Sequence, residues 1–594
     1  MEPLREYTSR QERWRAAEGL LQRQFVRIGN WRLAIAVVAA AVGWLAFGAD
    51  SAPGWLLAIP AAAFLGLVVW HQRVIRKRDL AARAVSFYDR GLDRLQDRWS
   101  GTGATGEEFG KRDHVYADDL DVFGNGSLFE LLSRARTTAG EKTLADWLLG
   151  PADRGEALAR QLAVEELARQ LDLREEIALL GEDVRANVHP DIVEQWALGA
   201  PAGFSRRVRQ LALGLSLASL GTLALFFGQV LPLFPFLVIL GCNFGFMFAV
   251  RQRVAHVVEP LPTPAQDLGI FALLLARLEA ASFGTGKLNE IRADLAAEGR
   301  SASARIRRLR RWMELLDSSD HLIVRVIRPV VLWREQCAFA VEQWRTENGA
   351  HVVRWLAAVG EFEALSSLAA LRFERPAWVF PTLLTTADGE FTARGLQHPL
   401  IPPARCVAND VALGGELRLL IISGSNMSGK STLLRAIGLN TILAWAGAPV
   451  AALECGVSAL QVGASLRVTD SLQDNRSRFY AEITRLRHVV DLTKGSLRVL
   501  FLLDELLSGT NSHDRRIGAA AVVRGLVEAG AIGLITTHDL ALANIEQDLG
   551  RRAANAHFED AIIDGKMEFD YRLRPGVVTR SNALELMRAV GLEV

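Results

Sequence analysis

The chain has 594 residues, of which 68 are Lys or Arg and 67 are Asp or Glu, so its formal net charge is +1. This balance excludes a globally basic nucleic-acid-binding protein, and the length predicts several domains, because one core rarely exceeds about 250–300 residues. The apolar fraction of 50% is high for a soluble protein and indicates membrane segments. The four cysteines lie far apart, which excludes a disulfide framework or a zinc site and is typical of a reducing compartment.

The amino-terminal part predicts a polar helix, a membrane hairpin and a second polar helix. Residues 1–30 have the charge pattern of a cytoplasmic amphipathic helix. The uncharged apolar runs 33–49 and 52–70 follow, and each is long enough, at about 1.5 Å per residue, to cross a hydrocarbon core of roughly 30 Å. We therefore predict a first transmembrane hairpin at 31–71 and a cytoplasmic helix with a glycine-rich linker at 72–114.

A helical region follows, and a second apolar hairpin interrupts it. Apolar residues recur every three or four positions over 115–205, which predicts the first part of a helical core. Two more uncharged apolar runs predict a second transmembrane hairpin at 206–251, and the region 252–375 predicts long helices. An alternative for both hairpins is burial inside the protein as pairs of apolar helices.

Arginines flank the two predicted hairpins and are absent from their turns. Arg27 and Arg32 precede the apolar runs of the first hairpin and Arg73 follows them, while Arg209 precedes the apolar runs of the second hairpin and Arg251 follows them. By the positive-inside rule, both hairpins enter and leave the bilayer from the cytoplasmic side. We therefore expect a multi-pass protein of the cell (inner) membrane that contacts membrane lipid and keeps its soluble domains in the cytoplasm.

Residues 376–594 alternate short β-rich runs with helices, which is the pattern of an α/β nucleotide-binding domain. A loop of the form G-x-x-x-x-G-K-[ST] lies between an apolar strand at 419–422 and a helix at 432–445. Such a loop turns backbone N–H groups toward phosphate oxygens, and the helix adds the positive end of its dipole. Lys430 is predicted to reach the β- and γ-phosphates, and Ser431 to bind Mg²⁺. The predicted nucleotide-binding residues of the loop are Gly424, Ser425, Asn426, Met427, Ser428, Gly429, Lys430, Ser431 and Thr432.

Two further strand ends complete the set of residues that an ATPase needs. The apolar run 499–503 ends in Asp504, predicted to help hold Mg²⁺, and Glu505, predicted to orient and deprotonate the attacking water. The run 534–537 ends in His538, which is predicted to contact the γ-phosphate or that water. The predicted cofactors are ATP and Mg²⁺. The predicted catalytic residues are Glu505, His538 and Lys430.

The order of these motifs resembles the ATPase domain of the MutS family, within the broader ABC-type class. The loop has the family's N-M-x-G-K-S-T form, and 504–514 is similar to its D-E-L-G-R-G-T-S-T-x-D segment. The segment 477–482 is similar to its S-x-F-x-x-E signature, and 571–576 looks like its carboxy-terminal strand. The resemblance covers roughly 115–205 and 260–594 and is strongest toward the carboxy-terminal end.

The resemblance implies a homodimer that pairs its ATPase domains, hydrolyses Mg-ATP and binds mismatched or branched DNA in repair. Ser477 would act in trans on nucleotide held by the other subunit, and the helices of 260–375 would act as levers. This sequence has Ser425 and Ser428 where the family usually has Pro and Gly, and Cys406 where it often stacks an aromatic ring on adenine. A membrane hairpin occupies the end where the family carries its mismatch-reading domain.

A basic run on a predicted helix leaves open whether the protein binds DNA. Its guanidinium groups are compatible with DNA phosphates bound without sequence preference, with a solvated helix face, or with the headgroups of anionic lipid. The residues are Arg300, Arg305, Arg307, Arg308, Arg310 and Arg311.

The sequence thus predicts a multidomain α and α/β protein. A helical core and lever region with two transmembrane helical hairpins precedes a carboxy-terminal ABC-type P-loop ATPase domain. Its expected function is that of a membrane-anchored MutS-family ATPase without the mismatch-recognition domain. The alternatives are an ABC-type transporter and a nucleotide-gated membrane scaffold without a DNA role. Against the transporter, the hairpins carry no charged position for a substrate path, and no L-S-G-G-Q segment precedes Asp504.

Overall fold

A computed structural model describes residues 2–49, 51–111, 114–180, 190–258, 265–296, 301–318, 322–425, 427–466, 478–507, 512–538, 543–563 and 566–578. The chain divides into two compact units. The first comprises Met1–Ser100 and Gln170–Asp183, and the second comprises Gly101–Arg169 and Val184–Val594. Most described residues are helical, and the described strands lie in the carboxy-terminal part, which confirms the prediction of a multidomain α and α/β protein.

Helices dominate the described chain as far as Glu374. In chain order they are α1 (Pro3–Phe47), α2 (Ala58–Leu95), α3 (Leu128–Leu132), α4 (Thr138–Leu149), α5 (Arg154–Arg169), α6 (Leu171–Leu179), α7 (Pro190–Leu198), α8 (Arg206–Phe227), α9 (Phe234–Val258), α10 (Ala265–Ala280), α11 (Gly286–Leu295), α12 (Ala302–Asp317), α13 (Leu322–Val331) and α14 (Trp333–Glu374).

In the first unit, α1 and α2 form a long antiparallel pair to which α6 is attached. The ring of Tyr7 packs edge to face on the ring of Tyr88, with centroids 5.6 Å apart. The buried carboxylate of Glu175 in α6 accepts hydrogen bonds from the Tyr88 hydroxyl and, at 2.8 Å, from Nε1 of Trp14. It also pairs with Arg10 at 3.1 Å. Three groups from the helix pair therefore satisfy this carboxylate and hold α6 in place.

Two features of this unit differ from the sequence analysis. The helix predicted for 1–30 does not end before the first apolar run, because Pro3–Phe47 is one continuous helix. Similarly, α2 continues without a break from its apolar run to Leu95. The sequence analysis assigned all of 115–205 to one helical core, whereas α6 belongs to the first unit. A helix of 9 residues is too short for its periodicity to show which neighbour it packs on.

Four of the described helices are long and apolar enough to cross a membrane, judged by length and composition: α1, α2 with the short turn before it, α8 and α9. Between 6% and 17% of each apolar stretch is buried inside the protein. Large side chains such as Trp31, Leu33, Leu211 and Phe248 are exposed on them. This low burial disfavours the alternative of apolar helix pairs packed inside the protein.

The long helix α14 connects distant parts of the second unit. Within the first third of α14, Gln343 accepts a hydrogen bond from Arg209 of α8 at 3.1 Å. Further along, the buried carboxylate of Glu363 accepts bonds from the backbone N–H groups of Arg136 and Thr137, and from the Thr137 hydroxyl at 2.6 Å. Thr137 also caps α4. One helix therefore joins the second apolar hairpin to α4.

Beyond Glu374 the chain alternates strands and helices. The strands are β1 (Thr382–Leu383), β2 (Phe391–Leu396), β3 (Asn409–Leu413), β4 (Leu419–Ser423), β5 (Glu454–Val457), β6 (Leu460–Ser465), β7 (Arg498–Leu503), β8 (Ile532–Thr537), β9 (Ala553–Ile563) and β10 (Lys566–Pro575). The helices are α15 (Lys430–Ala446), α16 (Arg478–Leu492), α17 (Ser512–Glu528) and α18 (Ile545–Leu549). One sheet has the order β1-β5-β2-β3, and the other has the order β10-β9-β4-β8-β7-β6.

The second of these sheets positions the candidate site. Its strands from β9 to β6 are parallel, and β10 pairs antiparallel with β9. The strands β4, β7 and β8 are buried almost throughout, as expected for parallel strands covered on both faces. Ser423 is aligned with Thr537, and Leu503 with Ile535, so the carboxyl ends of these three strands lie at one edge. The sequence analysis predicted all three strands and α15 to within two residues.

Candidate functional site

The loop between β4 and α15 depends on two glycines. Gly424 has φ +145° and Gly429 has φ +104°, values that residues with a Cβ atom rarely adopt. A Cβ at Gly424 would lie 2.8 Å from Oγ of Ser428 and 3.0 Å from the carbonyl oxygen of Phe558. A helix that begins directly after such a turn presents N–H groups without partners in the helix and the positive end of its dipole, which favour an anion.

The ammonium group of Lys430 lies inside this loop, and the residue is buried. Its Nζ donates to the carbonyl oxygens of Gly424 at 2.8 Å and Ser425 at 2.7 Å, and lies 3.4 Å from Nε2 of His538. Burial lowers the pKa of Lys430, while two nearby carboxylates act in the opposite direction. Because the carbonyl partners are neutral, an anionic ligand would gain a charge-assisted interaction here.

The strand β7 is followed by Asp504, whose carboxylate is held by hydroxyl groups from two other elements. Oγ of Ser431 in α15 donates to Oδ2 at 2.5 Å, and the hydroxyl of Thr536 in β8 donates to Oδ1. Oγ1 of Thr536 also accepts the backbone N–H of Glu505 at 3.1 Å. The structure thus brings together the two predicted metal ligands, Ser431 and Asp504. Both offer the oxygen atoms that Mg²⁺ prefers, so these residues fit a magnesium ion.

Glu505 and His538 meet at the exposed edge of the site. Oε1 of Glu505 lies 2.6 Å from Nε2 of His538, and both side chains are partly exposed. Glu505 has φ +47°, a left-handed backbone that costs about 1–3 kcal/mol in a non-glycine residue and is concentrated at functional sites. Leu507 is left-handed too, and its N–H donates to the buried carboxylate of Glu482 in α16. That glutamate ends the predicted signature segment 477–482.

Two residues of the site were missed by the sequence analysis. Tyr571 of β10 lies beside the loop, with ring atom Cδ1 3.2 Å from the position of a Cβ on Gly429. Its ring is partly exposed, its φ is +54°, and its carbonyl oxygen accepts Nδ2 of Asn409 at 3.0 Å. The other is Thr536. The sequence marks Thr536 as a candidate site residue, because its hydroxyl group lies two positions before His538 at a buried strand end. No local pattern marks Tyr571 as a site residue.

Cys406, where the sequence analysis expected the family's adenine-stacking ring, forms a hydrogen bond within the protein. Its Sγ accepts the backbone N–H of His398 at 3.3 Å. Burial raises the pKa of the Cys406 thiol. This residue therefore offers a small neutral group and no ring for a base.

The remaining predicted loop residues differ in their surroundings. Ser428 is buried, and its Oγ donates to the carbonyl oxygen of Ser425 at 2.8 Å. Oγ of Ser425 is buried without a hydrogen-bond partner among the described residues, which suits a polar atom of a ligand. Met427 and Thr432 are exposed. Two further predicted residues lie outside the described residues: Asn426 and Ser477.

Comparison with known proteins concerns mainly the carboxy-terminal part of the chain. Residues 420–593 match the family model for MutS domain V. The chain is 32% identical over 280 residues to the DNA mismatch repair protein MutS of Natronomonas pharaonis, a match covering 46% of this chain and 31% of that protein. It is 36% identical over 203 residues to Endonuclease MutS2 of Thermus thermophilus, covering 33% and 25%. It is 33% identical over 211 residues to Endonuclease MutS2 of Lactococcus lactis, covering 35% and 26%.

The chain spans about a quarter to a third of the length of these curated relatives. The matched family segment contains the glycine loop, Asp504, Glu505 and His538. It therefore contains the side chains that the fold brings together at the edge of the parallel strands. Residues 420–593 are therefore similar to domain V of the MutS family.

Proposed function

We propose that the chain is a membrane-anchored P-loop ATPase that binds and hydrolyses Mg-ATP as a dimer. The observation that carries this proposal is one group of interacting side chains at the carboxyl ends of three neighbouring parallel strands. This edge is where open α/β sheets bind their ligands. The members of the group are Lys430, Ser431, Asp504, Glu505 and His538.

The phosphate and metal roles follow from the charges of the group. Lys430 would exchange its carbonyl partners for β- and γ-phosphate oxygens of the nucleotide. Ser431 and Asp504 would hold Mg²⁺, and Thr536 would keep the Asp504 carboxylate in position. When bound, Mg²⁺ neutralises charge on the phosphate oxygens.

Glu505 is proposed as the base that accepts a proton from the attacking water. Its carboxylate is accessible to solvent, and its backbone is fixed by the N–H bond to Thr536. The imidazole of His538 lies between this carboxylate and the ammonium group of Lys430. That position suits a residue that contacts the γ-phosphate or the attacking water.

We assign the contact with the nucleotide base to Tyr571. Its ring lies against the backbone of Gly429, directly before the helix that receives the phosphates. The ring is partly exposed, so one face is available to stack on adenine. This assignment supplies an aromatic surface that Cys406 does not offer.

Dimerisation through the ATPase domains is supported by apolar side chains left in solvent near the site. Met427 in the loop is 75% exposed, and Tyr480 and Ile483 of α16 and Ile517 of α17 are also exposed. Groups of exposed apolar side chains are typical of protein interfaces. By the family resemblance, Ser477 would act across this interface on nucleotide bound to the other subunit.

A continuous series of contacts supports a lever function for α14. The helix α15, which begins at the phosphate loop, packs on α4, and α4 packs on α14. Glu363 and Thr137 bond α14 to the start of α4. At the other end, Gln343 meets Arg209. Nucleotide-driven movement of α15 would therefore reach the second apolar hairpin through helices in direct contact.

The setting of this ATPase is proposed from two sources. The four apolar helices and their flanking arginines support anchoring in the cell (inner) membrane, in contact with lipid and with the soluble parts cytoplasmic. The names of the relatives concern DNA mismatch repair and an endonuclease. We propose a role linked to DNA repair, with binding of mismatched or branched DNA.

The test is ATP turnover by the detergent-purified full chain with and without Mg²⁺, and with homoduplex, mismatched and branched DNA. Lys430→Ala should lose nucleotide binding, whereas Lys494→Ala, on the surface of the same domain, should not. Absence of turnover in the wild-type protein would overturn the catalytic proposal. Release of the protein from membranes by alkaline carbonate would overturn the anchoring proposal.

A further inference from the structure

Part of the basic run of the sequence analysis lies on the exposed face of α12, and its first residue, Arg300, lies outside the described residues. Arg307, Arg308 and Arg311 are exposed, and among the described residues no carboxylate lies within ion-pair distance of them. Arg310, by contrast, pairs with Glu314 at 2.7 Å. The opposite face of α12 is apolar and buried. This helix therefore presents three exposed positive charges on one side.

The position of these charges is fixed by the antiparallel packing of α12 on α14. Near one end of the contact, Nε1 of Trp344 donates to the carbonyl oxygen of Arg305 at 2.8 Å. Near the other end, Nε1 of Trp333 donates to the carbonyl oxygen of Leu315 at 2.8 Å. The three exposed arginines lie between these two contacts.

The same stretch of α14 reaches the start of the second apolar hairpin. Gln343, next to Trp344, accepts a hydrogen bond from Arg209, and Arg209 lies just before the apolar part of α8. At about 1.5 Å per residue, the exposed arginines of α12 lie within roughly 10 Å of this level, measured along α14. In a membrane-anchored chain this is the level of the lipid headgroups.

The next helix, α13, is attached to the flank of that hairpin. Nδ2 of Asn243 in α9 donates to the carbonyl oxygen of Pro329 at 2.8 Å. Oγ of Ser216 in α8 donates to the carbonyl oxygen of Val331 at 2.9 Å. Ser216 lies about two helical turns beyond Arg209, so the end of α13 lies roughly 10 Å further along the apolar helix.

α13 leaves apolar and basic side chains uncovered beside the hairpin. Val326 is 71% exposed and Ile327 is 45% exposed, and Arg325 is exposed next to them. A helix that exposes apolar and basic groups together is typical of the membrane interface. The sequence analysis did not identify this exposed apolar surface, because α13 has only 10 residues and is too short to form a long apolar run.

We propose that α12 and α13 together form a second membrane contact that binds anionic phospholipid, an inference that rests on the proposed anchoring. The guanidinium groups of Arg307, Arg308 and Arg311 bind headgroup phosphates, and Val326 and Ile327 enter the boundary of the acyl chains. DNA phosphates would satisfy the same charges. The exposed apolar neighbours and the level of the hairpin favour the bilayer.

The experiment uses the full chain in nanodiscs of phosphatidylcholine, with or without phosphatidylglycerol, and follows hydrogen–deuterium exchange. Exchange in α12 and α13 should slow at least about tenfold with the anionic lipid, since each arginine near an anionic surface adds attraction. Arg307→Gln, Arg308→Gln and Arg311→Gln together should abolish the difference while exchange in α14 stays unchanged. The matched control replaces three exposed arginines of the ATPase domain and should retain the lipid-dependent difference in exchange. These residues are Arg487, Arg524 and Arg551.

The outcomes separate this inference from the anchoring proposal. If the apolar parts of α1, α2, α8 and α9 are protected by the disc but α12 does not respond to anionic lipid, the inference is wrong and the anchor stands. If those four helices exchange freely, the anchoring proposal itself fails. If duplex DNA, and not anionic lipid, slows exchange in α12 through the three arginines, the face binds nucleic acid and the lipid inference is overturned.

Discussion

The imidazole Nε2 of His538 lies 2.6 Å from Oε1 of Glu505, at the ends of two adjacent parallel strands. The same nitrogen lies 3.4 Å from Nζ of Lys430. The proposed base and the lysine proposed to bind phosphate therefore both lie close to one nitrogen of the His538 ring. Each of the three groups can be altered separately, which makes the proposed roles testable.

Glu505→Gln should bind ATP normally and hydrolyse it at least about 100-fold more slowly, because the amide keeps the shape of the side chain but cannot accept the proton. Binding is measured with a fluorescent nucleotide and turnover by phosphate release. Glu528→Gln, exposed at the end of α17, is the control and should keep normal turnover. Wild-type hydrolysis by the Glu505→Gln variant would contradict the assignment of the base.

Thr536→Val should lower turnover about tenfold or more and raise the Mg²⁺ concentration needed for half-maximal rate. The substitution removes the hydroxyl that donates to Asp504 and accepts the N–H of Glu505, and leaving such groups unpaired costs about 1–3 kcal/mol. Thr536→Ser restores the hydroxyl and should restore both quantities. An unchanged Mg²⁺ dependence in the valine variant would show that Thr536 does not position the metal ligand.

Tyr571→Ala should raise the KM for ATP about two- to tenfold with little change in kcat, because it removes a stacking surface and no reacting group. Tyr571→Phe keeps the ring and should behave as the wild type. The measurement is steady-state hydrolysis over a range of ATP concentrations. If the alanine variant lowers kcat and leaves KM unchanged, the ring does not bind the base.

The stability of the second unit should fall as the pH rises from about 5 to about 7. Burial raises the pKa of Glu363 to about 7 from its ordinary value of 4.5, despite hydrogen bonds from Thr137 and the N–H of Arg136 that favour the ionised form. The folded protein then binds this proton more tightly than the unfolded chain. The contribution is therefore complete below the unfolded pKa and is lost as the pH approaches the folded one.

Glu363→Gln removes this titration and should flatten the pH dependence of the denaturation midpoint. Both carboxylate oxygens accept N–H or hydroxyl donors. An amide therefore places a donor against a donor, and we expect lower stability at every pH. The slope with pH is the informative quantity, and equal slopes in the two proteins would contradict the raised pKa of Glu363.

Local sequence patterns were sufficient to predict the residues of the candidate site that lie at strand ends. The loop from Gly424 to Lys430 and the carboxylates Asp504 and Glu505 each follow a buried apolar run. Parallel strands bring such ends to one edge, so their meeting could be predicted without knowing the register. His538 was found by the same argument.

Long-range pairing determined the parts that the sequence did not reveal. Tyr571 reaches the loop because β10 folds back on β9 with an irregular register between Phe569 and Leu573, and no local pattern encodes that offset. The lipid-facing proposal for α13 depends on Asn243 and Ser216, whose bonds cross from other helices. Hydrophobic periodicity reports that a face is apolar and not which partner covers it.

The attachment of α6 to the amino-terminal helix pair has a practical consequence for anyone producing a shortened, detergent-free protein. Leu171, Leu173 and Ile177 of α6 are buried, and the helix packs on α2. Deleting Met1–Ser100 would remove the helices on which α6 packs and expose these three apolar side chains to solvent. Such a fragment should aggregate unless the three positions are replaced by polar residues at the same time.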